Sequence, residues 1–162
     1  MLDISRIRTG KLSIRPSRFD LAQLVRGLVE NFAPQVEAAQ SSLSLQAEQP
    51  LEGNWDEFRI EQVVSNLLTN ALRYGAKSPI EVRVYAQDGE ARVEVRDHGI
   101  GISEDNQKRI FQQFERVSAN HVAAGLGLGL FISEQIVTAH GGAISVESRI
   151  GEGALFRVSL PL

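Results

Sequence analysis

Hydrophobic positions change period repeatedly along the chain, and each change marks an element. Leu21, Leu24, Val25, Leu28, Val29 and Phe32 recur at helical spacing, with Asp20 placed as N-cap and Pro34 placed to kink or break the helix near its end. "LSLQAE" alternates as a short strand. "WDEFRIEQVVSNLLTNALRYG" predicts a long helix: Asp56 and Glu57 suit its positive end, and Gly75 suits the left-handed position after its last turn. "IEVRVYAQDGEARVEVRD" predicts a hairpin turning at Asp88-Gly89. A short helix capped by Ser103 is predicted through "SEDNQKRIFQQF", followed by "ERVSANHVAAG", which has no period and reads as a mobile loop. "LGLGLFISEQIVTAHGG" predicts a further helix, entered through glycines and left through Gly141. "AISVES" and "ALFRVSLPL" close the chain as a second hairpin around "RIGEG". At the start, "LDISRIRTGKL" carries Leu2, Ile4 and Ile7 with no cap, as a helix cut in mid-course and ended at Gly10. Helices and a mainly antiparallel sheet in one small chain predict the α+β class, a two-layer sandwich.

Composition narrows this only a little. The 162 residues suit one domain with its own core, 43% apolar and 23% charged, as in ordinary soluble proteins. A formal net charge of −3 argues against general nucleic-acid binding. The basic run Arg6, Arg8, Lys11, Arg15 and Arg18, against Asp3 and Asp20, reads as a solvated helix end and linker. Without cysteine there are no disulfides or thiolate metal sites, and a reducing compartment is allowed. No apolar run approaches a membrane span, and the N-terminus lacks a signal peptide's apolar stretch, so the expectation is a soluble, cytoplasmic piece that could belong to a longer membrane protein.

Three features could carry chemistry. Asn66 and Asn70 stand four residues apart on one side of an apolar helix, with Arg73 a turn further on. An amide oxygen is a hard neutral ligand suited to Mg²⁺, although, taken alone, the stripe is better explained as a buried amide pair hydrogen-bonded to neighbouring backbone. In "RDHGIGI", Asp97 falls at a strand's end, where Gly99 and Gly101 let the chain turn close to a ligand; an ordinary turn is the plain alternative. "GLGLGL" leads into a helix whose free N–H groups favour an anion, yet no Lys-Ser or Lys-Thr follows as in a P-loop.

Taken together and in order, these motifs resemble a known family. "NLLTNALRY" resembles the N box, "DHGIGI" the first glycine box, "FQQF" the F box and "GLGLGL" the second glycine box of the ATP-binding catalytic domain of two-component sensor histidine kinases. That branch shares a superfamily, and the Bergerat-type sandwich fold, with DNA gyrase, Hsp90 and MutL. "GEGALFRVSLP" matches the usual closing strand, except that Ala154 replaces the commoner threonine.

The resemblance implies a role for each matching residue. Asn70 would hold Mg²⁺ on the ATP phosphates with Asn66 close by, Arg73 would contact phosphate, and Tyr74 would line the nucleotide pocket. Asp97 would accept from the adenine amino group, within a pocket shaped by Gly99, Gly101, Ile102 and Phe114. The run Gly125, Leu126, Gly127, Leu128 and Gly129 would bring backbone amides to the phosphates, 115–124 would form the ATP lid, and Arg116 would meet the γ-phosphate. Residues 1–15 would be the end of the second dimerisation helix and a linker, and 16–162 the catalytic domain. The phosphoacceptor motif is absent, since His98, His121 and His140 match no acceptor. The chain thus reads as a fragment that binds Mg·ATP, cannot phosphorylate itself, and needs a histidine-bearing dimerisation domain and a response regulator receiver domain as partners. Gyrase-like ATPases carry a glutamate general base where this chain has Asn66, which disfavours rapid hydrolysis. An anti-sigma-factor-type serine kinase and a nucleotide-binding module without kinase activity remain as alternatives.

Overall fold

The computed structural model describes residues 13–47, 50–75, 77–107, 110–111 and 124–162, over 124–128 as backbone. In order these form β1 (Ser17–Asp20), α1 (Leu21–Asn31), α2 (Ala33–Ala38), β2 (Ser42–Ala47), β3 (Glu52–Trp55), α3 (Glu57–Tyr74), β4 (Pro79–Gln87), β5 (Glu90–Asp97), α4 (Glu104–Gln107), α5 (Ala124–Ala139), β6 (Ala143–Ser148) and β7 (Ala154–Pro161). The opening helix expected over 2–12 and most of the expected lid lie outside the described residues.

Local chemistry sets the boundaries. Asp20 caps α1, its Oδ1 accepting from Ala22 N at 3.0 Å and also from Leu51 N at 3.0 Å. The helix stops at Phe32, and Pro34 sits in the first turn of α2, where its missing N–H costs nothing. Asp56 caps α3 through Arg59 N and also receives Arg15 N at 2.8 Å. The end of α5 is a Schellman turn: Gly141 has φ +78°, its N–H reaches Thr138 O, and Gly142 N–H reaches Val137 O at 3.0 Å. At Gly75 the structure departs from expectation. Its φ of −116° is not left-handed. Glycine is needed there because a Cβ would stand 2.6 Å from the Asp97 Cβ.

The main sheet has the order β2-β4-β5-β7-β6, with β2 parallel to β4 and the other neighbours antiparallel. Alternation puts Val82, Val84, Val93, Val95, Phe156 and Val158 on one face, where α1, α3 and α5 cover them. The α+β two-layer sandwich read from the sequence is therefore the observed architecture. The sequence pattern missed a second, two-stranded antiparallel sheet of β1 and β3. It seats Trp55, which is 1% exposed, packs edge-on against Phe19 at 5.6 Å, and donates from Nε1 to Pro161 O at 3.0 Å. Gly53 makes room for it, since a Cβ there would collide with the indole ring.

The outer face of the sheet is polar and centres on Glu94. Its register partners are Arg83 on β4 and Arg157 on β7, and it accepts from Tyr85 Oη at 2.6 Å and Arg157 Nε at 2.7 Å. Burial opposes its charge, but these hydrogen bonds and the nearby guanidinium groups outweigh it and hold the carboxyl below its ordinary range. A folded value below the unfolded one gives stabilisation that is present above the ordinary glutamate range, near about 4.3, and is lost as pH falls through the depressed value. Glu94→Gln is expected to cost about 1–3 kcal/mol at pH 7. The gap from the unsubstituted chain should close on acidification, as urea unfolding at pH 7 and pH 3 would show.

Candidate functional site

Most of the described residues singled out in the sequence fall on the end of β5, the loop 98–103, α3 and α5, and α3 packs against both β5 and α5. The end of β5 with that loop is the floor of the candidate site.

Asp97 ends β5 opposite Ala154 and is only 6% exposed. Its Oδ1 accepts from Gly99 N at 2.9 Å, and the nearby Ala154 backbone N–H also favours the charged form. Burial nevertheless dominates and pushes the carboxyl above its ordinary range. Three glycines close around this residue. A Cβ at Gly75 would press on the Asp97 side chain, one at Gly99 would collide with Tyr74 O, and one at Gly153 would collide with Asp97 O. The floor is thus a backbone surface shaped around one buried acceptor.

The loop after Asp97 is pinned from beneath. Gly101, at φ +74°, lies against Arg149 O, where no side chain fits. Ile102 N donates to Ser148 Oγ at 2.8 Å, Ser148 Oγ donates to Gly153 O, and Gln107 Nε2 bridges Ile102 O and Ser148 O. Sequence reasoning missed Gly153, Ser148 and Gln107. Only the position of Gly153 directly before the strand that pairs with Asp97 could have signalled its part.

On α3 the two asparagines differ. Asn70 is 7% exposed, and its Nδ2 is buried with no hydrogen-bond partner among the described residues. Such an atom is costly unless something outside the fold satisfies it. Asn66 is committed to the neighbouring helix: its Nδ2 donates to Gly129 O at 3.3 Å and Ser133 Oγ at 3.2 Å. Arg73 is exposed, and Tyr74 and Ile102 are half-buried against the core. His98 is exposed and pairs with Glu81 at 2.9 Å.

Helix α5 starts at Ala124, ahead of the glycine run rather than after it. Gly125, Leu126, Gly127 and Leu128 therefore occupy its first turns, and the free amides fall on its first three residues. Gly129 lies further in, facing Asn66. Glu134, on the same helix, has its carboxyl pushed up by burial. Phe114, Arg116 and His121 lie outside the described residues.

Asn70 carries a hard, neutral amide oxygen of the kind a divalent cation takes, and its buried Nδ2, which can only donate and has no partner among the described residues, suits an anionic oxygen such as that of a phosphate. The described residues contain no group of three or more His, Cys, Asp or Glu that could hold a metal without further ligands. No helix among them is long and apolar enough to cross a membrane.

Residues 55–162 match the family described as histidine kinase-, DNA gyrase B- and HSP90-like ATPase. The chain is 33% identical over 171 residues to the sensor protein GacS of Pseudomonas syringae pv. syringae, covering 100% of this chain and 19% of GacS. It spans between 18% and 32% of the curated relatives it matches. Among solved structures, full-length ShkA in complex with AMPPNP aligns with a TM-score of 0.87 at 28% identity, covering 99% of this chain and 34% of that one. The nucleotide-free catalytic domain of the histidine kinase ThkA aligns at 0.81 and 26% identity, covering 91% and 96%. ThkA in complex with the response regulator protein TrrA aligns at 0.80 and 25%, covering 99% and 46%.

Proposed function

Because this chain belongs to the histidine kinase-, DNA gyrase B- and HSP90-like ATPase family, we propose that it binds Mg·ATP in the cleft and hands the γ-phosphoryl group to a histidine of a separate dimerisation domain. The observation that carries this reading is the buried Asp97 carboxylate on its glycine-lined floor, an acceptor placed for the amino group of a flat base.

The chain's own residues then divide the work. Asp97 accepts from the adenine amino group, while Gly99 and Gly101 let the backbone close on the ring. The amide oxygen of Asn70 holds the cation, and Arg73 offers its exposed guanidinium to the phosphates. The first amides of α5 meet phosphate oxygens with the positive end of the helix dipole behind them. The family resemblance assigns Phe114 to the pocket and Arg116 to the γ-phosphate, both outside the described residues. When bound, Mg²⁺ supplies charge neutralisation and template binding of the phosphates. Catalysis is thus positioning and electrostatics rather than covalent chemistry. Beyond this domain, a response regulator receiver domain takes the phosphoryl group, a setting that the ThkA–TrrA complex and the sensor-kinase relatives support, and the chain works in the cytoplasm.

Asn66 bears on the ATPase alternative. Its amide takes up no proton at neutral pH, and its Nδ2 is engaged by α5. The chain alone is expected to hydrolyse ATP slowly and to gain no histidine-bound phosphate. Mixed with a histidine-bearing dimerisation domain and γ-labelled ATP, it is expected to transfer label to that histidine. Nucleotide binding without transfer would favour a regulatory module instead.

A further inference from the structure

Helices α3 and α5 pack against each other, and both carry nearly or fully buried apolar side chains, Leu67 on α3 and Leu130 and Ile136 on α5. Apolar contact is non-directional and does not by itself fix how far one helix slides along the other. Two polar contacts do. Near the cleft, Asn66 Nδ2 on α3 donates to Gly129 O and to Ser133 Oγ on α5, and Ser133 is 0% exposed. At the far end, the residue after α5 reaches the N-cap of α3: the Asp56 N–H donates to His140 Nε2 at 3.0 Å. The other ring nitrogen, Nδ1, lies 2.8 Å from Ile136 O. A backbone N–H only donates, so Nε2 is the unprotonated nitrogen and Nδ1 carries the hydrogen given to Ile136 O. One neutral tautomer satisfies both neighbours.

We propose that Ser133 and His140 are positioning residues for phosphate recognition, fastening α5 to α3 at two points so that the start of α5 and Asn70 face the same phosphate groups. The inference rests on the nucleotide reading above. The base is held on β5 and its loop, away from this seam. Loosening the fastening therefore costs phosphate contacts and spares adenine.

Mg·ATP binding by calorimetry and adenosine binding by NMR titration test this on Ser133→Ala, His140→Leu and His140→Gln. The glutamine oxygen can take the place of Nε2 and accept from Asp56. Ser133→Ala and His140→Leu are expected to weaken Mg·ATP about three- to tenfold, the equivalent of one hydrogen bond, while adenosine affinity holds and His140→Gln stays near the unsubstituted chain. Equal losses for ATP and adenosine, or none for ATP, would overturn the proposal. Should His140→Leu fail to fold, Ser133→Ala decides by the same comparison. Failure of the unsubstituted chain to bind Mg·ATP would sink the nucleotide reading itself, a distinct result.

Discussion

Asp97→Asn is expected to remove most of the affinity for ATP while leaving the chain folded. The carboxylate is 6% exposed and already accepts from Gly99 N, with the Ala154 N–H close by, so the side chain is held in one orientation. An amide in that place keeps one oxygen for a backbone N–H. It turns an NH₂ towards either the other backbone donor or the adenine amino group, where donor faces donor. Losing a hydrogen bond to a charged acceptor costs about 1.5–3 kcal/mol, or about 10- to 150-fold in affinity. Stability moves less, because the lost backbone hydrogen bond is offset by no longer burying a charge.

A pH signature separates these effects. Burial raises the folded value of Asp97 above the unfolded one. Its contribution to stability is therefore full below the ordinary aspartate range, near about 3.9, and is lost as pH rises through the raised value. Asp97→Asn should erase that slope in thermal unfolding. Nucleotide affinity runs the other way: it needs the ionised carboxylate and should weaken as pH falls through the same value. Calorimetry with ATP across that range checks both signs, and undiminished binding by Asp97→Asn would remove the adenine assignment.

Asn70→Ala should silence transfer with little harm to the fold. The substitution deletes a buried Nδ2 that has no partner among the described residues, so the loss of packing is partly offset by relief of an unsatisfied donor. On the proposed reading the amide oxygen assigned to the cation is lost, and transfer to a dimerisation domain is expected to fall by at least about a hundredfold. Adenosine binding, which depends on Asp97, should not change. Asn70→Asp restores a hard oxygen but adds a charge at a site that is 7% exposed, so it should recover transfer only partly and melt at a lower temperature. Transfer at full rate by Asn70→Ala would refute the assignment of the metal to this side chain.

The fold was legible in sequence wherever a period ran long enough to declare a face. The alternation of β4 and β5 around Asp88-Gly89 and the helical stripe of α3 needed nothing else, and Asp20 and Asp56 cap where a capping residue precedes an apolar run. β1 and β3 escaped because four residues are too few to show alternation, and their pairing is set by a distant partner. The start of α5 escaped because glycines signal loop locally, whereas here they lie within the helix. The candidate site was legible as a list of residues but not as an arrangement. Asn66 and Asn70 look equivalent on a helical wheel, and the neighbouring α5 separates them: Asn66 is bonded to it, while the Nδ2 of Asn70 has no partner among the described residues. Likewise, Gly153 and Ser148 matter through what they touch across the hairpin, which no local pattern encodes.

Trp55 carries a last consequence. It is the chain's only tryptophan, and its indole joins β3 to the final strand through Pro161 O. Pro161 pairs with Glu90 at the end of β5 remote from Asp97. The chain therefore has a single indole, set where β3 meets the last strand. Its emission, selected apart from that of the two tyrosines, reports whether β3 and β7 stay joined, at the end of the sheet opposite Asp97 and the proposed nucleotide.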